Sequence, residues 1–271
     1  MPAVQRPFTG GRLAQLAVDL TAREHQMLRE LATLHLATTG QLSRLVFGEY
    51  KPASARRLGQ RHTQRLVRFG LMHRFVNRSR DRKVGPPGFI LKLTDAGLSL
   101  SGVDGTPRRR QRGSWQPNDA YLAHRLAISE LYVRLVEQAR AGGPTVREFR
   151  SEPDSWRHYT GYAGESLVIK ADALVRLISG GQELSWFVEI DRGTEGPSHI
   201  TAKCRAYTAY ELADVEQRRH GVFPGVLFVV PTSARARVIQ RVIEHQPAEA
   251  QGLFMVATDA DAPTVLGTTI S

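Results

Sequence analysis

Apolar positions in the first hundred residues recur at helical spacing three times and then at strand spacing twice. The first helix is predicted to begin after Thr21, because Glu24 three residues later completes a capping box with it. A short second helix and a longer third helix, over residues 54–72, follow in the pattern. Two apolar runs, residues 72–76 and 88–93, predict strands joined by a loop rich in glycine, proline and basic residues. This segment is therefore expected to fold as three helices and a two-stranded hairpin.

The predicted third helix has an apolar side and a strongly basic side. On the basic side lie Arg56, Arg57, Gln60, Arg61, Gln64, Arg65 and Arg68. Arginine and glutamine are the residue types that read guanine and adenine edges in the major groove. The loop between the strands carries four cations that suit phosphates or a narrow minor groove. These cations are Arg78, Arg80, Arg82 and Lys83.

This order of elements resembles a winged helix-turn-helix over about residues 20–102, in which the third helix enters the major groove. We therefore predict that the first part of the chain binds double-stranded DNA. The alternative is that the basic helix face is only a solvated surface.

The second half of the chain predicts a long helix, three strands, a helix and a strand, and then one more helix and strand. The second strand is expected over residues 166–179, with Asp172 near its middle. A pair of glycines would then turn the chain into the third strand. Alternation along that third strand places Glu189 and Asp191 on one face. The chain is therefore predicted to be an α/β protein, α+β overall.

The carboxylates of these strands are candidates for a metal site. Asp172 and Glu189 offer the hard oxygen ligands that Mg²⁺ or Mn²⁺ requires. Such an ion would lower the pKa of a bound water, and a lysine beside the ion could orient that water. Asp191 adds a carboxylate that either supports the ion or pairs with Lys203 or Arg192. The alternative is a purely structural role, in which Asp172 is an ordinary strand residue and Glu189 forms an ion pair with Lys203.

Charge is distributed unevenly along the chain, whose net charge is +11. Residues 1–118 hold 21 Lys and Arg against 7 Asp and Glu, whereas residues 119–271 hold 16 against 19. This asymmetry favours a polyanion as the partner of the first part. The single cysteine, Cys204, excludes an intrachain disulfide and a Cys-rich zinc site. No secretory signal or membrane-length apolar run is visible, so a cytoplasmic protein without a membrane partner is expected.

Changes in composition along the chain predict five segments. They are an N-terminal tail (1–19), a winged-helix domain (20–103), a basic linker (104–118), a second domain (119–260) and a C-terminal tail (261–271).

The order of elements in the second domain resembles the αβββαβ core of the PD-(D/E)XK nuclease-like superfamily. On this resemblance, Asp172 in KADALV and Glu189 in FVEID match the two acids, seventeen positions apart. The lysine of the superfamily would fall at Asp191 and is absent, which leaves Lys203 as the candidate for its role. The resemblance implies that Asp172 and Glu189 bind Mg²⁺ or Mn²⁺. Asp191 would then support the ion, and Lys203 would act on the scissile phosphate.

The whole chain resembles the replication-relaxation family over about residues 20–245. The segments that carry the resemblance are HRLAISELYVRL, KADALV and FVEIDRGTEG with the helix after it. The family implies replication and relaxation of plasmid or integrative-element DNA, including roles at transfer origins in conjugation.

Two hypotheses follow from these observations. The first is a DNA-binding protein whose second domain nicks DNA with Mg²⁺ or Mn²⁺. The second is a noncatalytic winged-helix transcriptional regulator or relaxosome accessory factor with an inactive nuclease fold. Both allow a homodimer, and both allow a relaxase or replication protein as a partner.

Overall fold

The structure is a computed structural model that describes residues 9–76, 89–103 and 118–268. Contacts between Cα atoms divide the chain into two compact units, residues 1–133 and 134–271. The predicted wing cations lie outside the described residues, and so does the predicted linker except for its last residue. Those cations are Arg78, Arg80, Arg82 and Lys83.

The first unit combines helices with a small antiparallel sheet. Its helices are α1 (Gly10–Asp19), α2 (Ala22–Leu34), α3 (Thr39–Phe47), α4 (Pro52–Arg68), α5 (Asp95–Ser101) and the first part of α6 (Asp119–Arg140). Its strands are β1 (Ala37–Thr38), β2 (Met72–Val76) and β3 (Phe89–Leu93), in the order β1-β3-β2. The predicted sequence of three helices and two strands is present as α2, α3, α4, β2 and β3.

Two of these helices begin with the same device. Thr21 accepts a hydrogen bond from the backbone N–H of Glu24, whose side chain accepts from the backbone N–H of Thr21. Thr38 and Gln41 repeat this capping box at the start of α3. Each box satisfies two backbone donors that a helix start would otherwise leave unpaired.

Two elements of the first unit were not predicted. Helix α1 lies within the segment that we expected to be an N-terminal tail, and Thr9 caps it by accepting from the Arg12 N–H. Leu16 and Leu20 are buried, so two apolar side chains hold α1 in the unit. Strand β1 has only two residues and is therefore too short to show alternation.

The first part of α6 packs within the first unit. Leu122 and Leu126 join Leu36 and Ile90 in one apolar cluster. Ser129 adds a hydrogen bond of 2.6 Å from its hydroxyl to the Leu36 carbonyl. The division between the units therefore falls inside α6, whereas we placed the start of the second domain at residue 119.

The second unit is built on a five-stranded sheet. The strands of this unit are β4 (Thr145–Ser151), β5 (Arg157–Thr160), β6 (Ser166–Ile169), β7 (Ala173–Ser179), β8 (Gln182–Ile190), β9 (Gly225–Val230) and β10 (Phe254–Thr258). Strands β5 and β6 lie outside the five-stranded sheet. Its helices after α6 are α7 (Pro197–Leu212), α8 (Val215–His220), α9 (Ser233–Glu244), α10 (Ala248–Gln251) and α11 (Ala262–Leu266).

The sheet has the order β10-β9-β8-β7-β4. Strands β4, β7 and β8 are antiparallel neighbours, whereas β8, β9 and β10 run parallel. The turn between β7 and β8 is the predicted glycine pair, with φ of 54° at Gly180 and 81° at Gly181. Two positive φ angles in a two-residue turn match the right-handed twist of a hairpin.

The predicted strand over residues 166–179 is wrong in one respect, because the chain divides it into two strands. Its first part is β6, which pairs with β5 in a separate two-stranded sheet, and its second part is β7. Asp172 therefore directly precedes a strand and does not lie in the middle of one. The apolar pattern could not reveal the division, since both parts are apolar and strand-like.

Helices α7 and α9 cover one face of the sheet around a buried core. Phe187 and Phe228 of the sheet pack with Tyr207 and Tyr210 of α7 and Ile239 of α9. Among the described residues, no helix has the length and apolarity needed to span a membrane.

Helix α11 occupies the segment that we predicted to be a C-terminal tail. Its Leu266 is buried, and the Leu266 carbonyl accepts a 3.0 Å hydrogen bond from the indole N–H of Trp186. This contact ties α11 to strand β8.

Candidate functional site

The two predicted acids lie where β7 begins and β8 ends. Asp172 is 8% exposed and Glu189 is 3% exposed. The backbone N–H of Asp172 donates to the Val188 carbonyl (3.1 Å), and its Oδ2 accepts from the Ile190 N–H (2.7 Å). The backbone of β8 therefore fixes the Asp172 carboxylate beside Glu189. The PD-(D/E)XK resemblance placed these two acids on neighbouring strands, and their role as a site stays a prediction.

Both carboxylate oxygens of Glu189 have partners on α7. The Tyr207 hydroxyl donates to Oε1 at 2.6 Å, and the Lys203 ammonium lies 2.9 Å from Oε2. Lys203 also reaches Oε1 of Glu195, at 2.8 Å. The ion pair between Glu189 and Lys203, which we considered as the alternative to a metal site, is therefore present.

Burial and neighbouring charge shift the titration of this group. Burial and the nearby charge of Asp172 raise the pKa of Glu189 to about 7, against the opposing effects of Lys203 and Tyr207. Burial lowers the pKa of Lys203, but Glu189 and Glu195 outweigh it and raise that pKa above its usual value. Glu189 can therefore exchange a proton near neutral pH while Lys203 stays charged.

Asp191 has partners different from those predicted. Arg235 of α9 donates to its Oδ2 through Nε at 2.7 Å and through a second nitrogen. Its Oδ1 accepts from the backbone N–H of Gly193, where φ is +83°. We predicted that Asp191 would support a metal ion or pair with Lys203 or Arg192. The structure instead uses Asp191 to tie α9 to the end of β8.

Glu152 is a candidate ligand that the sequence reasoning missed. Carboxylate oxygens of Glu152 and Asp172 lie within 4.8 Å of one another, and the Glu152 N–H donates to the Asp172 carbonyl at 3.0 Å. Ligands of Mg²⁺ lie about 2.1 Å from the ion, so two of them are at most about 4.2 Å apart. The pair is therefore close to the separation that a hard cation requires. Glu152 follows the last residue of β4, so strand alternation does not place its side chain, and no strand pattern marked it as a ligand.

The other candidate surface is the basic side of α4 in the first unit. Six of its seven predicted DNA-binding residues are exposed. They are Arg56, Arg57, Gln60, Arg61, Gln64 and Arg68. Four residues on the opposite side of the helix are buried. They are Ala55, Gly59, Thr63 and Leu66.

The seventh residue, Arg65, is held inside the first unit. Its guanidinium pairs with the buried carboxylate of Glu24 and donates to the Asp19 carbonyl at 3.0 Å. His62 Nδ1 lies 3.0 Å from the other oxygen of Glu24. Arg65 therefore positions α4 against α2, which leaves the six exposed residues as the candidate DNA contacts.

A family model described as replication-relaxation matches residues 28–226, which is 199 of the 271 residues. The chain belongs to the replication-relaxation family. Searches of curated proteins and of solved structures found no match.

The replication-relaxation match spans both units. It begins within α2 and ends within β9, so it contains α4 and the cluster of Asp172, Glu189 and Lys203. Arg235 of α9 lies beyond it. Membership of the replication-relaxation family indicates a role in replication or relaxation of plasmid or mobile-element DNA.

Proposed function

We propose that this replication-relaxation protein binds double-stranded DNA through α4 and nicks it at the acidic cluster of the second unit. The partner would be plasmid or mobile-element DNA, and the divalent ion would be Mg²⁺ or Mn²⁺. We further propose that the second unit is an αβββαβ core of PD-(D/E)XK type. The last part of α6 (residues 134–140), followed by β4, β7, β8, α7 and β9, supports this proposal, with β5 and β6 as an inserted hairpin.

DNA binding is supported by the exposure and charge of α4. Four exposed arginines and two exposed glutamines lie along one side of a 17-residue helix. The α3–α4 pair with the β2–β3 hairpin has the element order of a winged helix-turn-helix, in which α4 would be the recognition helix. The exposed side chains can then contact base edges and phosphates.

The observation that carries the nicking proposal is the meeting of Asp172, Glu189 and Lys203. Lys203 reaches Glu189 from α7, so a lysine is present although the strand position holds Asp191. Asp172 and Glu152 would hold a divalent ion. Such an ion, when bound, lowers the pKa of a coordinated water and offsets phosphate charge.

Each of the other side chains has a distinct task in this proposal. Lys203 would hold its positive charge beside the scissile phosphate, where it stabilises developing negative charge. Glu189 would orient Lys203 and, with its pKa of about 7, accept the proton that the attacking water loses. The Tyr207 hydroxyl donates to Oε1 of Glu189 and so fixes the position of its carboxylate.

The test is the conversion of supercoiled plasmid to open circles by purified protein in Mg²⁺ or Mn²⁺. We expect Asp172→Asn and Glu152→Gln each to lower the rate at least about 100-fold, since each removes a charged ion ligand. Glu183→Gln is the matched control, because Glu183 is another carboxylate on β8 and lies away from Asp172. Equal rates for wild type and Asp172→Asn would rule out this site.

The second candidate function is that of a noncatalytic DNA-binding regulator or relaxosome accessory factor. It is favoured by one observation: both oxygens of Glu189 and both oxygens of Asp191 already have protein partners. Calorimetric titration with Mn²⁺ separates the two functions. No heat of binding and no nicking, together with intact duplex binding, would establish the noncatalytic function.

A further inference from the structure

An open cavity of about 400 Å³ lies in the second unit, on the sheet face that also carries the acids. We call it the arginine pocket. Its walls come from β4, the segment after β4, β5, β7 and α8. Its lining includes Arg150, Arg157, Arg176, Arg219 and Trp156. Sites for small organic ligands are commonly of this size.

The arginine pocket carries an excess of positive charge. Four arginines line it against two carboxylates, Glu148 and Asp154. Glu148 pairs with Arg150 and lies 3.4 Å from Arg176, which also lies 3.8 Å from Glu183. Arg157 pairs with Glu216, so Arg219 is the lining arginine without a carboxylate partner among the described residues, and an anion is the ligand that its charge favours.

Two of the arginines differ in how firmly they are held. Arg157 donates to the buried carboxylate of Glu216 at 3.0 Å and to two backbone carbonyls, so its guanidinium is fixed. The side chain of Arg219 is exposed and makes no hydrogen bond or ion pair to any residue that the structure describes. Arg219 is thus available to a ligand without the loss of an existing contact.

The strand pattern relates the pocket to the acids. Asp172 and Arg176 are four positions apart, and side chains at even spacing along β7 share one face of the sheet. At about 3.3 Å per residue the separation is about 13 Å, the rise of roughly four nucleotides in a duplex strand. Arg150, near the end of β4, lies two positions before Glu152. A DNA strand at the acids could therefore continue into the pocket.

Trp156 makes the pocket more suitable for a nucleotide than for a bare phosphate. Its ring contributes to the wall, and the Lys170 ammonium lies 5.1 Å from the ring centroid. Aromatic rings of this kind stack on unpaired bases in proteins that bind single strands. A base inside a duplex is already stacked on its neighbours and cannot enter a concave pocket.

We propose that the arginine pocket binds single-stranded DNA, with a backbone phosphate at Arg219 and an unpaired base on Trp156. The proposal rests on the proposed function, since it assigns to the second unit the strand that flanks the nick. It adds that the second unit distinguishes an unpaired strand from a duplex.

The experiment measures fluorescence anisotropy of labelled oligothymidylate and of a labelled duplex with the full chain. We expect Arg219→Ala to weaken oligothymidylate binding about tenfold and to leave duplex binding within about twofold. Arg218→Ala is the matched control, because Arg218 is the neighbouring exposed arginine of α8 and does not line the pocket. Equal weakening by Arg218→Ala and Arg219→Ala would overturn the proposal.

A second pair of variants tests stacking at Trp156. Trp156→Leu should weaken oligothymidylate binding about tenfold, whereas Trp156→Phe keeps a ring and should recover most of the affinity. Equal affinity of all three proteins would overturn the base contact. Competition by free thymidine monophosphate at the same concentration of nucleotide would overturn the assignment to a strand.

Nicking measured on the same variants separates this proposal from the proposed function. Loss of oligothymidylate binding in Arg219→Ala supports the pocket even where wild type fails to nick. Conversely, unchanged oligothymidylate binding in Arg219→Ala removes the pocket even where wild type nicks.

Discussion

Glu24 is a buried carboxylate that joins two helices through three kinds of contact. It completes the capping box of α2, and it accepts hydrogen bonds from His62 and Arg65 of α4. Burial alone would raise the pKa of Glu24, but the hydrogen bonds from Thr21, His62 and Arg65 outweigh burial and lower it. A lowered folded-state pKa means that ionised Glu24 stabilises the first unit.

We predict that Glu24→Gln destabilises the first unit by about 2 kcal/mol at neutral pH, the scale of hydrogen bonds to a charged group. This decrease in the free energy of unfolding should have its full size above the unfolded carboxyl pKa of about 4.3. It should become smaller as the pH falls through the lower folded-state pKa of Glu24. Hydrogen exchange of α2 and α4 amides across this pH range measures it. Glu30→Gln, on the same helix, serves as the control, and a pH-independent loss would contradict the prediction.

Residue-level chemistry was predictable where it depended on one or two neighbouring strands. Alternation placed Glu189 and Asp191 on one face of a strand, and the PD-(D/E)XK resemblance singled out Asp172 and Lys203 as their neighbours. The partner of Asp191 was not predictable, because Arg235 is 44 positions away along the chain. Contacts at that separation depend on how α9 packs, which no local pattern encodes.

At the scale of elements, α3 and α4 approach closely because Gly59 lacks a side chain. A Cβ atom added at Gly59 would lie 1.9 Å from Oγ and 2.8 Å from Cβ of Ser43. These distances are far shorter than van der Waals contact, so one helix would have to move. The glycine therefore sets the distance between the two helices.

We predict that Gly59→Ala destabilises the first unit by about 1–2 kcal/mol, since overpacking exceeds the gain of about 1 kcal/mol in helix propensity. Gly40→Ala on α3 is the control, because a Cβ there meets only an ordinary contact at 3.8 Å. Thermal unfolding of both variants measures the difference. Adding Ser43→Gly to Gly59→Ala should recover part of the loss, and a double variant no more stable than the sum of the singles would refute the clash.

Element boundaries were predictable where a local signal marks them. The Thr21 capping box and the glycine turn of β7–β8 are signals of this kind, and both are present in the structure. The separation of β6 from β7 was missed because partner choice decides it: β6 pairs with β5 and β7 with β8. Helix α1 was missed because its buried apolar side chains, Leu16 and Leu20, are too few to make a clear helical pattern.

At the scale of the whole molecule, positive charge is concentrated in residues 1–118. DNA affinity that depends on such charge falls steeply with salt, because bound cations release counterions from the phosphates. Periodicity predicted the main helices and strands of both units, whereas α1, β1, α11 and the separation of β6 from β7 were missed. The division inside α6 could not, since it depends on Leu122 and Leu126 packing on the first unit.

We predict that Arg57→Ala with Arg61→Ala weakens duplex binding at least about tenfold. Each lost phosphate contact should also lower the slope of log affinity against log salt by about 1. Filter binding over a series of salt concentrations measures both quantities. The control is Arg218→Ala with Arg237→Ala, which removes two arginines from the second unit. An unchanged salt slope in the α4 variant would place the duplex elsewhere.

The attachment of α4 through His62 and Arg65 also limits how its specificity could be redesigned. A library for new target sequences can vary the exposed positions, Arg56, Arg57, Gln60, Arg61 and Gln64, without touching the contacts to Glu24. Randomising His62 or Arg65 would instead remove the contacts that hold α4 against α2. Changes in the orientation of α4 on DNA could then not be separated from changes in its sequence preference. Orientation and recognition are therefore encoded by separate, interleaved positions of one helix.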